Sequence, residues 1–262
     1  PELYLDGTAS FHSVDELPSM DRGAQVLIVR DDGKLVQQIP WNKPEDLSVD
    51  EKWDIALAAD GSAEITIQLK ARGDFAVYLR RNYELAAQRQ TLLEKTLGRK
   101  FAGARVVSQE FSDLSNLDEN VTMEIRFTAP TFANSSPEEI TFSLVDDFFG
   151  SVGNLGILGA LEKRETDVVL GNPRSSRLKA IYRFPPGIKL KSTPESRDID
   201  TRFGRFRLGV DPKVKGVLTL ERLFEMKKNR VPLAEYQEFR KLSASVDQLG
   251  NEKIVLQKKG AK

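Results

Sequence analysis

Cysteine is absent from the 262 residues, and histidine occurs only once, as His12. The chain therefore cannot form disulfides, thiolate metal sites or thiol nucleophiles, and it cannot hold a site that needs two imidazoles. Net charge is also absent, because 39 basic side chains balance 39 acidic ones. No overall field draws the molecule towards nucleic acid or an anionic membrane, so we do not expect nucleic acid as a partner.

Long apolar runs are missing as well. The longest stretch with little charge, residues 148–161, contains four glycines and falls short of the roughly 20 apolar residues of a membrane-spanning helix. We therefore expect no membrane span. Hydrophobic residues still make up 40% of the chain, which is enough to build a buried core. The chain opens with Pro1-Glu2-Leu3 and shows no basic and apolar leader, so we expect it to be a piece of a longer protein.

Alternation of apolar and polar residues is the dominant local pattern. Residues 121–127 place four apolar side chains on one face, which is typical of a half-buried strand. Residues 53–57 and 65–69 alternate in the same way on either side of Asp60-Gly61, which predicts a β-hairpin. A second hairpin is predicted around residues 31–33. The remaining predicted strands are residues 25–30, 35–39, 75–79, 140–144, 178–184, 203–210 and 216–226.

Helical spacing occurs in two segments, residues 84–97 and residues 232–249. So few helices among many alternating runs predict a mainly β protein, with antiparallel sheets packed as in a β-sandwich and about two helices, α+β by count. A change of composition near residues 39–44 divides the chain into residues 1–40 and a β-rich region, residues 41–262. The alternative is that this β-rich region is itself divided near residues 98–105.

Two groups of polar residues invite a chemical interpretation. His12 is followed by Ser13 and Asp15, but catalytic triads are assembled from residues distant in the chain, so we interpret the three as ordinary loop residues. Asp146 and Asp147 offer two carboxylates, yet the alternating oxygen ligands of a calcium loop are missing. We interpret this pair as surface acids at the end of a strand.

Basic and aromatic residues alternate near position 205. On a strand, Arg205 and Arg207 share the solvent face, while Phe206 and Leu208 point inward. An amphipathic strand explains the pattern, and nucleic-acid binding through these arginines is the weaker alternative.

The opening Leu-Tyr-Leu-Asp-Gly-Thr of residues 3–8 resembles the last catalytic element of bacterial transglutaminase-like proteins, where an aromatic-rich strand ends in Asp-Pro-Thr. Residues 16–18 and 23–29 resemble the stretch that follows this element. Residues 182–187 and 231–255 are similar to parts of the β-rich region that trails the core in a branch of the family that also has an N-terminal β-rich domain of unknown function.

The resemblance implies that Asp6 matches the family's triad aspartate, which orients the catalytic histidine and stabilises its charged form. The nucleophilic cysteine and that histidine lie upstream in the family, and His12 matches neither. Gly7 stands where the family has proline. The alternative is that Asp6-Gly7 is a plain turn.

The resemblance further implies a function. Residues 1–40 would close the transglutaminase-like core or link to it, and residues 41–262 would be a non-catalytic accessory region that binds a substrate or partner. This chain alone would not be an enzyme, whereas its parent would be a cysteine acyl-transferase or amide hydrolase. The expected partners are the upstream core and a protein or peptide substrate, no cofactor is required, and the location is extracytoplasmic. The alternative is an independent β-sandwich binding module or scaffold with no enzymatic parent.

Overall fold

A computed structural model describes residues 3–31, 33–152 and 155–258, which form a mainly β structure and confirm the predicted fold class. The described strands are β1 (Gln25–Arg30), β2 (Gly33–Gln38), β3 (Ser48–Leu57), β4 (Ala63–Ala71), β5 (Arg105–Phe111), β6 (Val121–Ala129), β7 (Asn134–Ser135), β8 (Glu139–Ser143), β9 (Val168–Val169), β10 (Arg174–Arg183), β11 (Ile188–Ser192), β12 (Arg197–Asp200), β13 (Gly204–Asp211), β14 (Val217–Met226), β15 (Arg230–Val231) and β16 (Lys253–Lys258). The described α-helices are α1 (Asp74–Tyr83), α2 (Arg89–Gly98), α3 (Leu155–Leu158) and α4 (Tyr236–Asp247).

An eight-stranded sheet organises the molecule, in the order β12-β13-β14-β10-β3-β4-β6-β5. Neighbouring strands are antiparallel except β3 and β10, which pair in parallel at the centre. The predicted hairpin at Asp60-Gly61 is confirmed as β3 and β4. The other predicted hairpin is confirmed as β1 and β2, which form a separate small sheet, although Asp32 of its turn lies outside the described residues.

One face of the large sheet is buried and the other faces solvent. Alternate residues of each long strand point inward, and Trp53 and Ile55 of β3 are completely buried. A four-stranded sheet of order β11-β16-β8-β7 packs with helices α1 and α2 on this inner face, and together they form the first hydrophobic core. Burial of one face explains why the alternating pattern is so clear in the sequence.

A second hydrophobic core lies at the other end of the inner face. There α3, α4 and the short pair β9 and β15 cover β13 and β14, with Phe206, Phe224 and Phe239 completely buried. Leu144 and Val210 are half-buried and contact both cores. The two cores therefore adjoin beneath one continuous sheet.

The prediction of a strand over residues 75–79 is wrong, because these residues lie in helix α1. Gly73, with φ of 63°, turns the chain away from β4. The buried residues of α1 are then Ala76, Leu79, Arg80 and Tyr83, a helical spacing that a short apolar run does not distinguish from alternation.

The two predicted helices are present but shorter than expected. Residues 86–88 form a 3-10 turn before α2, and Leu85 is 60% exposed, whereas Leu93 and Leu97 of α2 are buried. The second predicted helix, residues 232–249, corresponds to α4 with short 3-10 turns at its ends. The domain boundaries proposed at residues 40 and 98–105 stay predictions.

Candidate functional site

Asp6, the residue matched to a triad aspartate, lies in a tight turn. Its Oδ1 accepts hydrogen bonds from the backbone amide and the hydroxyl of Thr8, each with a length of 2.8 Å. The Ala9 amide donates to the Asp6 carbonyl oxygen over 3.1 Å. The Thr8 amide is the main reason that the pKa of Asp6 lies below its ordinary value. The carboxylate is thus charged and locally held, and its orienting role stays a prediction.

The His12 ring lies between helix α1 and the backbone of its own loop, and none of its hydrogen bonds within the described residues goes to the side chains of Ser13 or Asp15. Its Nε2 lies 3.4 Å from Oδ1 of Asp74, and its Nδ1 lies 3.0 Å from the carbonyl oxygen of Ser10. The Ser13 hydroxyl instead donates to Asp118 over 3.0 Å. The structure therefore does not bring His12 and Ser13 together as a catalytic pair.

Asp147 is completely buried, so the interpretation of Asp146 and Asp147 as two surface acids is wrong for Asp147. Its Oδ2 accepts from Nη2 of Arg222 over 2.7 Å and from the Ser176 hydroxyl over 2.9 Å. The Ser151 amide and hydroxyl donate to its two carboxylate oxygens over 2.9 and 2.6 Å. Burial alone would raise the pKa of Asp147, but the Arg222 charge and the serine hydrogen bonds outweigh it, so this pKa is lowered.

Arg222 bridges the two aspartates from strand β14. Its side chain is only 6% exposed, and its Nη1 donates to Oδ1 of Asp146 over 2.8 Å. Its Nε is buried and has no hydrogen-bond partner among the described residues. A buried donor without a partner costs free energy, so this nitrogen lowers the net stabilisation that the cluster contributes.

Glu51 is a second buried carboxyl group, on the inner face of β3. It accepts hydrogen bonds from the indole nitrogen of Trp53, over 2.6 Å, and from the Phe148 amide. Burial, together with repulsion from Asp147, raises the pKa of Glu51 to about 8. Glu51 is therefore largely protonated at neutral pH, whereas Asp147 is charged.

A cavity of about 230 Å³ lies beside this polar cluster, between the inner face of the large sheet and the end of α4. We call it the seam cavity, because its walls come from both hydrophobic cores. Most of its lining side chains are apolar, and its polar groups come from Asp146, Tyr182, Arg222 and Asp247. The full lining is Leu144, Val145, Asp146, Val152, Gly156, Leu178, Ala180, Tyr182, Leu208, Leu220, Arg222, Val246, Asp247, Leu249 and Gly250.

The arrangement favours binding over catalysis. Two carboxyl groups with pKa values pushed apart resemble an acid and base pair, but Glu51 and Asp147 do not line the seam cavity. Within residues 3–31, 33–152 and 155–258, no group of three or more histidine or acidic side chains could hold a metal ion. What the cavity offers is an apolar interior with a few polar groups, the usual composition of a ligand pocket.

Sequence reasoning missed both buried carboxyl groups, although the sequence contains a signal for them. Glu51 alternates with Val49 and Trp53, and Arg222 alternates with Leu220 and Phe224, so both charged residues occupy inward positions of strands. A charge at an inward position needs a buried partner. That requirement points to a polar cluster inside the sheet, but not to Asp147 as its other member.

Comparison with known proteins adds a family match and a structural likeness. A family model described as a domain of unknown function with a solved structure, DUF3858, matches residues 154–256. No curated protein matches the chain. A crystal structure of a "putative protease" from Parabacteroides distasonis is similar with a TM-score of 0.39 and 19% identity, over 47% of this chain and 24% of that chain. The chain thus spans about a quarter of that protein's length. None of the described helices has the length and apolar character needed to cross a bilayer.

Proposed function

We propose that this chain is a non-catalytic accessory region of a larger transglutaminase-like protein, and that the seam cavity is where it binds a substrate or partner. The cavity carries the proposal: it is a formed space with an apolar interior, and Asp146, Arg222 and Asp247 are part of its lining. An apolar pocket with a few polar groups has the composition with which proteins commonly bind ligands.

The chemistry of the parent would come from elsewhere in the longer protein. A thiol attack on an amide needs a cysteine, and this chain encodes none. The resemblance of residues 3–8 to a last catalytic element supports an upstream core that supplies the cysteine and histidine, with Asp6 as the orienting residue. The resemblance also supports an extracytoplasmic location, periplasmic or secreted.

Strand addition at a sheet edge is the less favoured way to bind a partner. At one edge of the large sheet, β12 has only four residues, and at its other edge, β5 has a register shift between Val106 and Ser108. In the four-stranded sheet, the edge strand β7 has only two residues. Short and bulged edges discourage pairing with another chain, so the cavity is the better candidate.

The proposal is tested by titrating the isotope-labelled chain with benzyl alcohol, a small apolar probe, and following the NMR spectrum. We expect saturable shifts at the amides of Ala180, Leu220 and Val246, which line the cavity. Ala180→Leu places a larger side chain in the same space and should abolish these shifts. Uniform or non-saturable shifts in the unmodified chain would contradict a binding cavity.

The enzymatic parent is tested separately, by reading the coding sequence upstream of Pro1. A cysteine followed by a histidine in the order of the transglutaminase-like family supports the proposal. An upstream sequence without them favours the alternative, an independent binding module or scaffold.

A further inference from the structure

We infer that the seam cavity binds the free amino-terminal end of a peptide whose first residue is large and apolar. This inference rests on the proposed function and names the class of ligand. It combines two features of the cavity: an apolar interior and carboxylates at the rim.

The interior has the size and composition for one apolar side chain. Leu178, Ala180 and Leu220 of the sheet face Val246 and Leu249 across a space of about 230 Å³. A cavity of roughly 150 Å³ with aliphatic and aromatic walls is enough to bind benzene. A leucine or phenylalanine side chain would therefore fit within the seam cavity, with the backbone of its residue at the rim.

The rim favours a cation. The Asp146 side chain is 43% exposed, and both hydrogen bonds that its carboxylate accepts within the described residues go to Oδ1, so Oδ2 is available. Asp247 is exposed at the end of α4, and a Cβ added to Gly156 would lie only 2.2 Å from its Oδ1. The absence of a side chain at Gly156 thus lets the Asp247 carboxylate lie against the cavity wall.

The charges do not cancel at this rim. Among the side chains that line the cavity, Asp146 and Asp247 carry two negative charges and Arg222 carries one positive charge, so the lining is negative. An α-ammonium group suits such a place, because an ionised donor forms strong hydrogen bonds to carboxylates. A ligand carboxylate would meet repulsion there, so a peptide or amide fits better than a free amino acid.

The Arg222 side chain is part of the cavity wall and is only 6% exposed. Its two terminal nitrogens already bond Asp146 and Asp147, so the Arg222 side chain adjoins the Asp146 end of the rim. Arg222 thereby holds the Asp146 carboxylate at the rim, where the free Oδ2 can accept from an ammonium group. One amino-terminal residue would then supply the apolar group and the cation together.

The test is calorimetric titration of the 262-residue chain with three amidated peptides: Leu-Gly-Gly, its N-acetylated form, and Gly-Gly-Gly. We expect Leu-Gly-Gly to bind. Acetylation removes the ammonium group and its ionic hydrogen bond, so it should weaken binding by at least about tenfold. Gly-Gly-Gly has no side chain to bury, so it should give no measurable heat. If the acetylated peptide binds as tightly as the free amine, the inference is overturned although the cavity remains a binding site. If the three peptides and benzyl alcohol all fail to bind, the proposed function fails as well.

A variant pair locates the cation site. Asp247→Asn removes a charge at an exposed position and should weaken Leu-Gly-Gly by about two- to fivefold, with little effect on the acetylated peptide. Asp15→Asn is the matched control, because Asp15 is exposed and belongs to the segment before β1, and it should leave both affinities unchanged. Equal effects of the two substitutions on Leu-Gly-Gly would overturn the assignment.

Discussion

The backbone amide of Phe148 donates to both carboxylate oxygens of Glu51, over 2.8 and 3.0 Å. Glu51 lies on β3 at the centre of the large sheet, and Phe148 belongs to the segment between β8 and α3. The same segment carries Asp147, which bonds Arg222 on β14. Glu51 and Arg222 therefore hold this segment against the sheet from two sides, and the segment contributes Leu144, Val145 and Asp146 to the seam cavity.

The raised pKa of Glu51 predicts a pH-dependent stability. Because burial raises it from 4.5 to about 8, the folded chain holds a proton that the unfolded chain has already released between these values. The stabilising contribution is complete below pH 4.5 and is lost as the pH rises through 8. We expect the free energy of unfolding in urea to fall by several kcal/mol across this range, at about 1.4 kcal/mol for each pKa unit.

Glu51→Gln should remove most of this slope, since the amide does not titrate and its oxygen still accepts from Phe148 or Trp53. Above pH 8 the variant should be more stable than the unmodified chain. Glu64→Gln, on the exposed face of β4, is the matched control and should keep the original profile. A Glu51→Gln profile as steep as that of the control would contradict the assignment.

The pair of Arg222 and Asp147 is predicted to be strongly coupled. Arg222→Met leaves a buried carboxylate without its cation and should lower the free energy of unfolding by about 3–5 kcal/mol. The double variant with Asp147→Asn should lose less than the sum of the single losses, by about 1 kcal/mol or more. Urea unfolding of the four proteins measures this coupling.

Arg183→Met is the matched control for Arg222→Met. Arg183 forms two hydrogen bonds with Asp54, over 2.9 and 2.8 Å, but on the exposed face of the sheet. An exposed pair contributes no more than about 1 kcal/mol, so this substitution should be nearly neutral. The prediction fails if Arg222→Met and Arg183→Met lower the free energy of unfolding by similar amounts. It also fails if the losses of the two single variants add up exactly in the double variant.

Patterns confined to a few neighbouring residues could be predicted from the sequence. The alternation on both sides of Asp60-Gly61 identified β3 and β4, because one face of these strands is buried and their turn is short. The central pairing of β3 with β10 is different: it joins distant parts of the chain in parallel through backbone hydrogen bonds, which no side-chain pattern encodes.

The candidate site depends on the same long-range placement. Asp147 follows a predicted strand and looks like a surface acid until Arg222, 75 residues later, meets it across the sheet. The seam cavity arises where two cores adjoin, and such a space has no local signature. The run that begins at Phe75 could not be assigned for a local reason. Its short apolar pattern fits a strand and a helix equally, and the turn at Gly73 decides between them.

Gly73 is predicted to be intolerant of a side chain. Its φ of 63° and ψ of −142° suit glycine, and an added Cβ would lie 2.5 Å from the carbonyl oxygen of Asp46. We expect Gly73→Ala to lower the free energy of unfolding by at least about 2 kcal/mol. Gly98→Ala, at the end of α2 with open space around it, should be neutral or stabilising by up to about 1 kcal/mol. Denaturant unfolding of both variants measures the difference, and equal midpoints would contradict the prediction.

Arg80 is predicted to need its guanidinium group and not merely its charge. Its Nη1 donates to the carbonyl oxygen of Phe11, and its Nη2 donates to three carbonyl oxygens between β5 and β6, with the shortest bond, 2.6 Å, to Glu119. A lysine ammonium cannot reach this set of acceptors, so Arg80→Lys should cost about 2 kcal/mol and leave buried carbonyl groups unpaired. Arg81→Lys, one residue further on the exposed side of α1, should change stability by less than about 0.5 kcal/mol. Urea unfolding compares the two, and the prediction fails if they lose the same stability.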